Sequence, residues 1–438
     1  MPVFIMYEFK SLDNGRFGKV QRRMFYLSSL GLFLDGYDLS IITMAMLVIP
    51  SQLHLGFYEK IYVDTSSFIG MLIGAPVLGR LSDMIGRKRI FGLDLLFFVV
   101  FAITAGLSGN FYELFISRLL MGFGIGGDYP ISSTMMSEFS PKNSRGRLLL
   151  GMVGMYWLGA FISAVMNYIF VIFTDFWRYT FIIGGIIALP LILLRLKVPE
   201  SPRWLASKGK IRDAESVLKD ISGVSDVEKS SKTVKRVHGF YFTLIFVVAA
   251  WFIFDVAAYG LGFYYPLIFS ELGFRDNFRS IAEISMIISI GGMLGYVIAL
   301  PVADKIGRRF LTIFGFFVMT LLLSLGSIIK ISGIASVPFY FLFVLFEQWV
   351  GAVTLFYPTE LFATDVRSTV QGIATAASRA GAILGIVIFP FYPVFHSLLV
   401  FAVASFIGLI IAIFMAPETN RKSLEQNVEM YTNKNPKL

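Results

Sequence analysis

The sequence predicts an all-α membrane protein, with twelve transmembrane helices arranged as two pseudo-symmetric six-helix bundles. Three observations predict it: an overwhelmingly apolar composition, a succession of apolar windows long enough to cross a bilayer, and motifs that recur at a nearly constant offset. Of the 438 residues, 56% are hydrophobic and only 15% are charged. A water-soluble chain of that length could not cover so much apolar surface, so the bilayer must act as the solvent. The 45 phenylalanines suit helix surfaces that face lipid.

The windows, about 20 residues each, fall at roughly 24–48, 62–82, 90–108, 111–137, 147–172, 179–197, 239–268, 281–303, 310–331, 336–358, 369–392 and 397–415. Backbone groups in hydrocarbon must be satisfied within their own segment, so the windows are expected to be helices. The first 23 residues are polar and basic, and no short apolar run with a small-residue cleavage site precedes the first window. No removable signal peptide is therefore expected.

Basic residues set the orientation. One set of connections carries Arg80, Arg87, Lys88 and Arg89, then Lys142, Arg145 and Arg147, then the stretch from Lys197 to Arg236, then Lys305, Arg308 and Arg309. The opposite connections hold little beyond Lys60, Arg178, Arg275, Arg279 and Lys330. An even helix count puts both termini on the basic side, the cytoplasm of a cell-membrane protein. The expected organisation is a cytoplasmic tail at 1–23, a six-helix bundle at 24–197, a cytoplasmic linker at 198–238, a second bundle at 239–415 and a cytoplasmic tail at 416–438.

Internal repetition is the stronger argument for two halves. Asp83, Gly86, Arg87 and Lys88 recur as Asp304, Gly307, Arg308 and Arg309, an offset of 221. Glu138 with Arg145 recurs as Glu360 with Arg367, offset 222. Pro199-Glu200-Ser201 recurs as Pro417-Glu418-Thr419, offset 218, and Asp35 in helix one is matched by Asp255 in helix seven, offset 220. Such agreement argues for duplication of a six-helix unit, an arrangement whose substrate site lies near the midplane between the halves.

Composition also excludes. There is no cysteine, and His54, His238 and His396 are scattered. Disulfides, thiolate metal sites and a histidine metal cluster are therefore not expected, nor is a cofactor. No Gly-rich Lys-Ser/Thr phosphate loop or large soluble domain supports an ATP-driven pump, and no nucleophile–base pair supports an enzyme. The net charge of +9 sits mostly in connections and tails, where it sets topology and does not call for nucleic acid. A monomer in the lipid bilayer is expected.

Gly79-Arg80-Leu81-Ser82-Asp83-Met84-Ile85-Gly86-Arg87-Lys88-Arg89 occupies a turn on the basic side. An acid at a helix end can pair with arginines and with a neighbouring helix terminus, latching one conformation. Gly79, Asp83, Gly86, Arg87, Lys88, Glu138, Arg145, Asp304, Gly307, Arg308, Arg309, Glu360 and Arg367 are the latch candidates. The stretch resembles the loop signature between helices two and three of the major facilitator superfamily. Pro199-Glu200-Ser201-Pro202-Arg203-Trp204 is similar to the segment after helix six in that superfamily, and the resemblance covers essentially the whole chain.

Ionisable residues inside membrane helices are costly and default to functional hypotheses. Helix one holds Asp35 and Asp38 on one face; helix four holds Arg118 and Asp128, followed by Tyr129. Helix seven holds Asp255 with Trp251 and Tyr259 one turn to either side, helix ten holds Glu347 and helix eleven holds Arg379. An acid of helix one paired with Arg118 is the structural alternative. Asp94 and Glu283 are expected to reach the interface.

Gly124-Ile125-Gly126-Gly127-Asp128-Tyr129-Pro130 resembles the helix-four signature of the phosphate:proton symporters of that superfamily. Trp251-x3-Asp255-x3-Tyr259 is similar to the same family's binding stripe, and Asp35-Gly36-Tyr37-Asp38 to its helix-one acids. The resemblance implies that Tyr129, Trp251, Asp255 and Tyr259 contact an oxyanion, while Asp35 or Asp38, with Asp128 and Arg118, handles protons. It departs at two positions: Tyr156 stands where that family carries a glutamine, and Arg379 where it carries a lysine. Ser378-Arg379-Ala380-Gly381 looks more like organic-anion and aromatic-acid symporters, and an arginine fork suits carboxylate and phosphate alike. The implied function is proton-coupled symport of a small anion. A sugar or polyol transporter of the same fold, or a transport-inactive sensor, are the alternatives.

Overall fold

In the computed structural model, residues 3–15, 17–224, 227–235, 238–271, 277–420, 422 and 424–432 are described. Arg236, Arg275 and the side chain of Asp304 lie outside them. Twelve long helices carry the fold: α1 (Lys19–Ala45), α2 (Phe57–Ile85), α3 (Arg87–Leu107), α4 (Phe111–Phe139), α5 (Arg145–Phe170), α6 (Phe176–Arg195), α7 (His238–Gly262), α8 (Phe278–Lys305), α9 (Arg308–Ile329), α10 (Ser336–Leu361), α11 (Arg367–Ile388) and α12 (Val394–Met415). Ten of these regions meet a plain test of length and hydropathy for crossing a membrane. The other two, α1 and α4, dilute their apolar runs with acids, glycines and serines that they bury.

Two boundaries differ from the sequence expectation. The first helix begins at Lys19, inside the expected tail, because the Gln21 side chain accepts a hydrogen bond from the Gly18 amide at 3.0 Å and caps the extra turn. The seventh ends at Gly262, and the chain resumes as a short helix, Tyr265–Phe269, with Pro266 in its first turn. The protein is also not purely helical: β1 (Val3–Phe9) of the leading tail pairs antiparallel with β2 (Val227–Lys235) of the linker.

Glycines let the helices pack backbone to backbone. At Gly36 and Gly159 a side chain would strike the carbonyls of Tyr156 and Phe33, which brings α1 against α5. The related seam in the second half is α7 against α11, where Gly381 faces the Phe252 carbonyl and Gly385 the Val256 carbonyl. The halves meet along α2–α11 and α5–α8. In the first seam Gly372 lies against the Ala75 backbone; in the second Gly292 lies against the Trp157 ring.

The face that carries the tails, called here the terminal face, is tied by buried ion pairs. Asp83 accepts from Arg87 at 2.9 Å and, across the halves, from the amide and hydroxyl of Thr369, both at 2.6 Å. Thr369 is the third residue of α11, so the acid meets a helix N-terminus, where anions are stabilised. Glu138 takes Arg87 at 3.3 Å and Arg367, from the other half, at 2.9 Å. Arg87 also donates to the Thr364 carbonyl at 2.7 Å. In the second half Arg308 pairs with Glu360 at 3.2 Å and Arg309 donates to the Ile413 carbonyl at 2.8 Å.

The Pro-Glu-Ser and Pro-Glu-Thr segments complete this arrangement symmetrically. Glu200 accepts from the amides of Arg87 and Lys88, and Glu418 from those of Arg308 and Arg309. Gly86 and Gly307 have φ of 114° and 113°, and any side chain there would strike these glutamates. Glycine is required twice over, by backbone conformation and by space. Gly79, one helical turn before Asp83, lies against the Ser368 carbonyl.

The leading tail adds a hub that motif spacing does not reveal. Asp13 is buried and accepts from Arg145 at 3.1 Å and Arg203 at 2.9 Å, while its carbonyl takes the Lys142 amide at 3.0 Å. Burial opposes its charge, but the guanidinium groups of Arg203 and Arg145 outweigh it and hold Asp13 below the usual carboxylate range. A depressed acid stabilises the folded tail above its ordinary titration and ceases to do so as pH falls through the lowered value. The tail is therefore expected to stay docked at pH 5 and to detach only well below about pH 4. Limited proteolysis of residues 1–18 against pH reads this; release already at pH 5–6 would contradict the hub.

Candidate functional site

A cavity of about 100 Å³ lies between the halves. Its wall takes Leu39, Ser40 and Thr43 from α1, Tyr129 from α4, and Val153, Tyr156 and Trp157 from α5. It takes Trp251, Asp255 and Tyr259 from α7, Tyr296 from α8, Glu347 and Gln348 from α10, and Arg379 from α11. All six residues expected to bind substrate thus face one space. They come from both halves, which motif reading alone could not guarantee.

Arg379 is the centre. It is 1% exposed, and its guanidinium lies 4.9 Å from the Tyr129 ring, 5.1 Å from the Tyr259 ring and 6.0 Å from the Phe68 ring. Such packing leaves the cation desolvated and attracted to the ring faces. Asp255 stands 3.8 Å away and takes a hydrogen bond from Ser378 at 2.7 Å. The Nε and Nη1 atoms of Arg379 meet no hydrogen-bond acceptor among the described residues. A buried fork with free donors next to a carboxylate can bind an oxyanion, provided the carboxylate yields its place.

The acids expected to handle protons are arranged differently from one another. Asp38 pairs with Arg118 at 3.6 Å, the structural alternative noted above, and Arg118 packs over Phe181 at 5.5 Å. Asp128 lies outside the cavity wall. Arg195 holds it bidentately, at 2.7 Å and 3.2 Å, and Ser132 donates to it at 2.7 Å. Asp35 is buried beside Asp128 and Asp94 on a void of about 10 Å³, room for about one water. Neither Asp35 oxygen has a hydrogen-bond partner of normal geometry.

Three residues escaped the sequence reading. Asp94 does not reach the interface: it is 1% exposed and pairs with Arg195 at 3.3 Å, because α6 delivers that arginine to its side of α3. Glu283 is exposed as expected. Arg195 sits at the end of its apolar window, where a base reads as one more positive-side residue. Asp64 accepts from Tyr264 of the other half at 3.3 Å, and Tyr264 stacks on Phe389 at 4.5 Å. An acid inside the second window was the available signal. With Phe57 against Phe391 at 5.7 Å, this contact joins the halves on the face opposite the tails, so the halves touch on both sides of the cavity.

Comparison with known proteins agrees with this architecture. The family model described as sugar (and other) transporter matches residues 24–431. The putative metabolite transport protein YaaU of Escherichia coli (strain K12) is 30% identical over 434 residues, covering 96% of this chain and 97% of that protein. Probable inorganic phosphate transporter 1-6 of Arabidopsis thaliana is 30% identical over 482 residues, covering 91% and 92%. Among solved structures, the major facilitator superfamily proton:xylose symporter XylE, bound to 6-bromo-6-deoxy-D-glucose, superposes with a TM-score of 0.81. Its identity is 21%, over 94% of this chain and 99% of that one. Twelve helices in two related halves, a cavity between them and a family match across nearly the whole chain lead to one conclusion: this is a multi-pass membrane transporter of the sugar (and other) transporter family, with the fold of the major facilitator symporter XylE.

Proposed function

We propose that the chain is a proton-coupled symporter of a small anion, inorganic phosphate or an organic carboxylate, working by alternating access in the cell membrane. The observation that carries the reading is Arg379, fully buried in the cavity wall with unused donors and Asp255 as its nearest counter-ion. An anion that docks on Arg379 takes over the role of Asp255. The displaced carboxylate cannot remain charged in a closed, desolvated space, so it takes a proton. A proton on Asp255 and an anion on Arg379 leave the site with the charge it began with. That equality is the coupling rule: both cargoes are loaded, or neither is.

Tyr129, Tyr156, Tyr259 and the Trp251 indole supply further donors around the anion. Asp35, with no hydrogen bond of normal geometry among the described residues and beside Asp128 on one void, is the acid of the first half best placed to exchange protons with the terminal face. Residues 24–197 and 239–415 rock as two bundles, with the terminal face in the cytoplasm. Asp83 and Glu138 with their arginines hold that face shut while the other opens. The curated phosphate transporters among the relatives support the anion reading.

A sugar or polyol is the second reading, favoured by the uncharged Gln348 and the five tyrosines of the wall. It differs physically, because a neutral ligand would leave the Arg379–Asp255 pair intact and uncoupled from binding. Purified protein in vesicles with an imposed proton gradient separates the two, using phosphate, small carboxylates, aromatic acids and sugars as cargoes. Accumulation of an anion is expected, with Tyr129→Phe plus Trp251→Ala weakening its binding at least roughly tenfold through loss of buried contacts. Sugar accumulation with no anion uptake would reverse the assignment.

A further inference from the structure

Beyond the latch and the Asp13–Arg203 hub, the described interior holds seven buried acids, Asp35, Asp38, Asp64, Asp94, Asp128, Asp255 and Glu347, and three buried arginines, Arg118, Arg195 and Arg379. They are not distributed at random. Arg118 pairs with Asp38 and lies within electrostatic reach of Asp64. Arg195 pairs with Asp94 and Asp128. Arg379 pairs with Asp255 and lies within reach of Asp35. Each arginine thus serves two carboxylates, and Glu347 is the acid left over.

Glu347 lies in the middle of α10, is 7% exposed and faces the cavity. It has no ion-pair partner among the described residues. The charged and titratable groups that share the wall with it are Asp255 and Tyr259 from α7, Tyr265 from the short helix after α7, Tyr296 from α8, Tyr129 from α4, Tyr156 from α5 and Arg379 from α11, with Gln348 beside it. Arg379 is already claimed by Asp255, and Asp255 repels a second negative charge. Wedged among aromatic rings, an ionised carboxylate there would cost several kcal/mol.

We propose that Glu347 is a second proton-binding site, located in the C-terminal half and separate from the Arg379–Asp255 exchange. It binds one proton from whichever side the cavity faces and returns it to water when the cavity opens on the other side. The carboxylate is regenerated each cycle, and one positive charge moves for each proton carried. The site rests on the transporter reading above, but its occupancy does not depend on which cargo is carried.

The test therefore has a cargo-free arm. Infrared difference spectra of the purified protein after an alkaline pH jump, with proton release counted by a pH dye, read the protonated carboxyls directly. Glu347→Gln is expected to remove one protonated-carboxyl band and one released proton. Glu347→Asp keeps both, which controls for misfolding. A Glu347→Gln spectrum and proton count identical to wild type overturn the proposal. In the second arm, protons moved per inorganic phosphate are expected to fall by one in Glu347→Gln vesicles. An unchanged ratio with altered phosphate affinity makes Glu347 a substrate contact and also overturns it. If wild-type protein moves no phosphate, the phosphate reading fails, and the spectra still decide Glu347.

Discussion

Replacing Arg379 with glutamine is expected to abolish anion binding while leaving the fold intact. Truncating one partner of a buried charge pair costs roughly 2–5 kcal/mol, equivalent to about thirty-fold to several-thousand-fold in affinity. The loss has two sources. The anion loses the one cation that the described residues place in the cavity wall, and Asp255 loses the neighbour 3.8 Å away that makes its charge tolerable. Asp255 then holds its proton in every state, so residual transport should no longer respond to a proton gradient. Adding Asp255→Asn to the glutamine variant should therefore change little further. Arg379→Lys should keep a fraction of binding, because a point charge replaces a fork that matches two oxygens at once. Equilibrium binding of the accumulated anion, with monodispersity as the fold control, measures this. Undiminished affinity in Arg379→Gln would remove the centre of the proposed site.

Glu138→Gln is expected to produce the other large effect, on conformation and not on binding. The carboxylate of Glu138 takes guanidinium groups from both halves, Arg87 and Arg367, and a hydroxyl from Ser201. A glutamine is nearly isosteric but removes the counter-charge from two buried cations, and breaking such a pair costs about 3–5 kcal/mol. The molecule can avoid this cost only by letting water reach the arginines, which means opening the terminal face. The natural chain contains no cysteine, so a single Thr375→Cys reporter on α11 gives a clean signal. Thr375 is now fully buried, one turn from Arg379 towards the latch. Its alkylation by a water-soluble reagent should accelerate roughly tenfold or more in the Glu138→Gln background, each tenfold being about 1.4 kcal/mol. Equal labelling rates would place the closure energy elsewhere, in the α2–α11 seam.

What the sequence made legible follows from what one dimension can carry. Apolar length identified the helices, and the offset near 221 paired Asp83 with Asp304 and Glu138 with Glu360 before any contact was known. The binding stripe Trp251, Asp255 and Tyr259 was legible because helical spacing fixes a common face. Azimuth between helices is not written that way. Asp128 and Asp35 read alike as intramembrane acids, yet one is clamped by Arg195 and the other makes no hydrogen bond of normal geometry among the described residues. The clamp was invisible because Arg195 lies 67 residues from Asp128 and at the edge of a span. Asp94 was misplaced for the same reason, since its partner comes from α6 and not from water. The β1–β2 pair escaped because neither strand alternates apolar and polar residues with a period of two, and each is stable only through the other.

That small sheet has a consequence for how the molecule is joined. β1 stands just ahead of α1 and β2 just ahead of α7, and their first residues, 3 and 227, are 224 apart, close to the repeat offset. Each half therefore opens on a strand, and the two strands clasp one another like the hooks of a single fastener. Connection between the bundles does not depend on the polypeptide link alone: cut after residue 223, the chain would still hold its two parts together through the clasp.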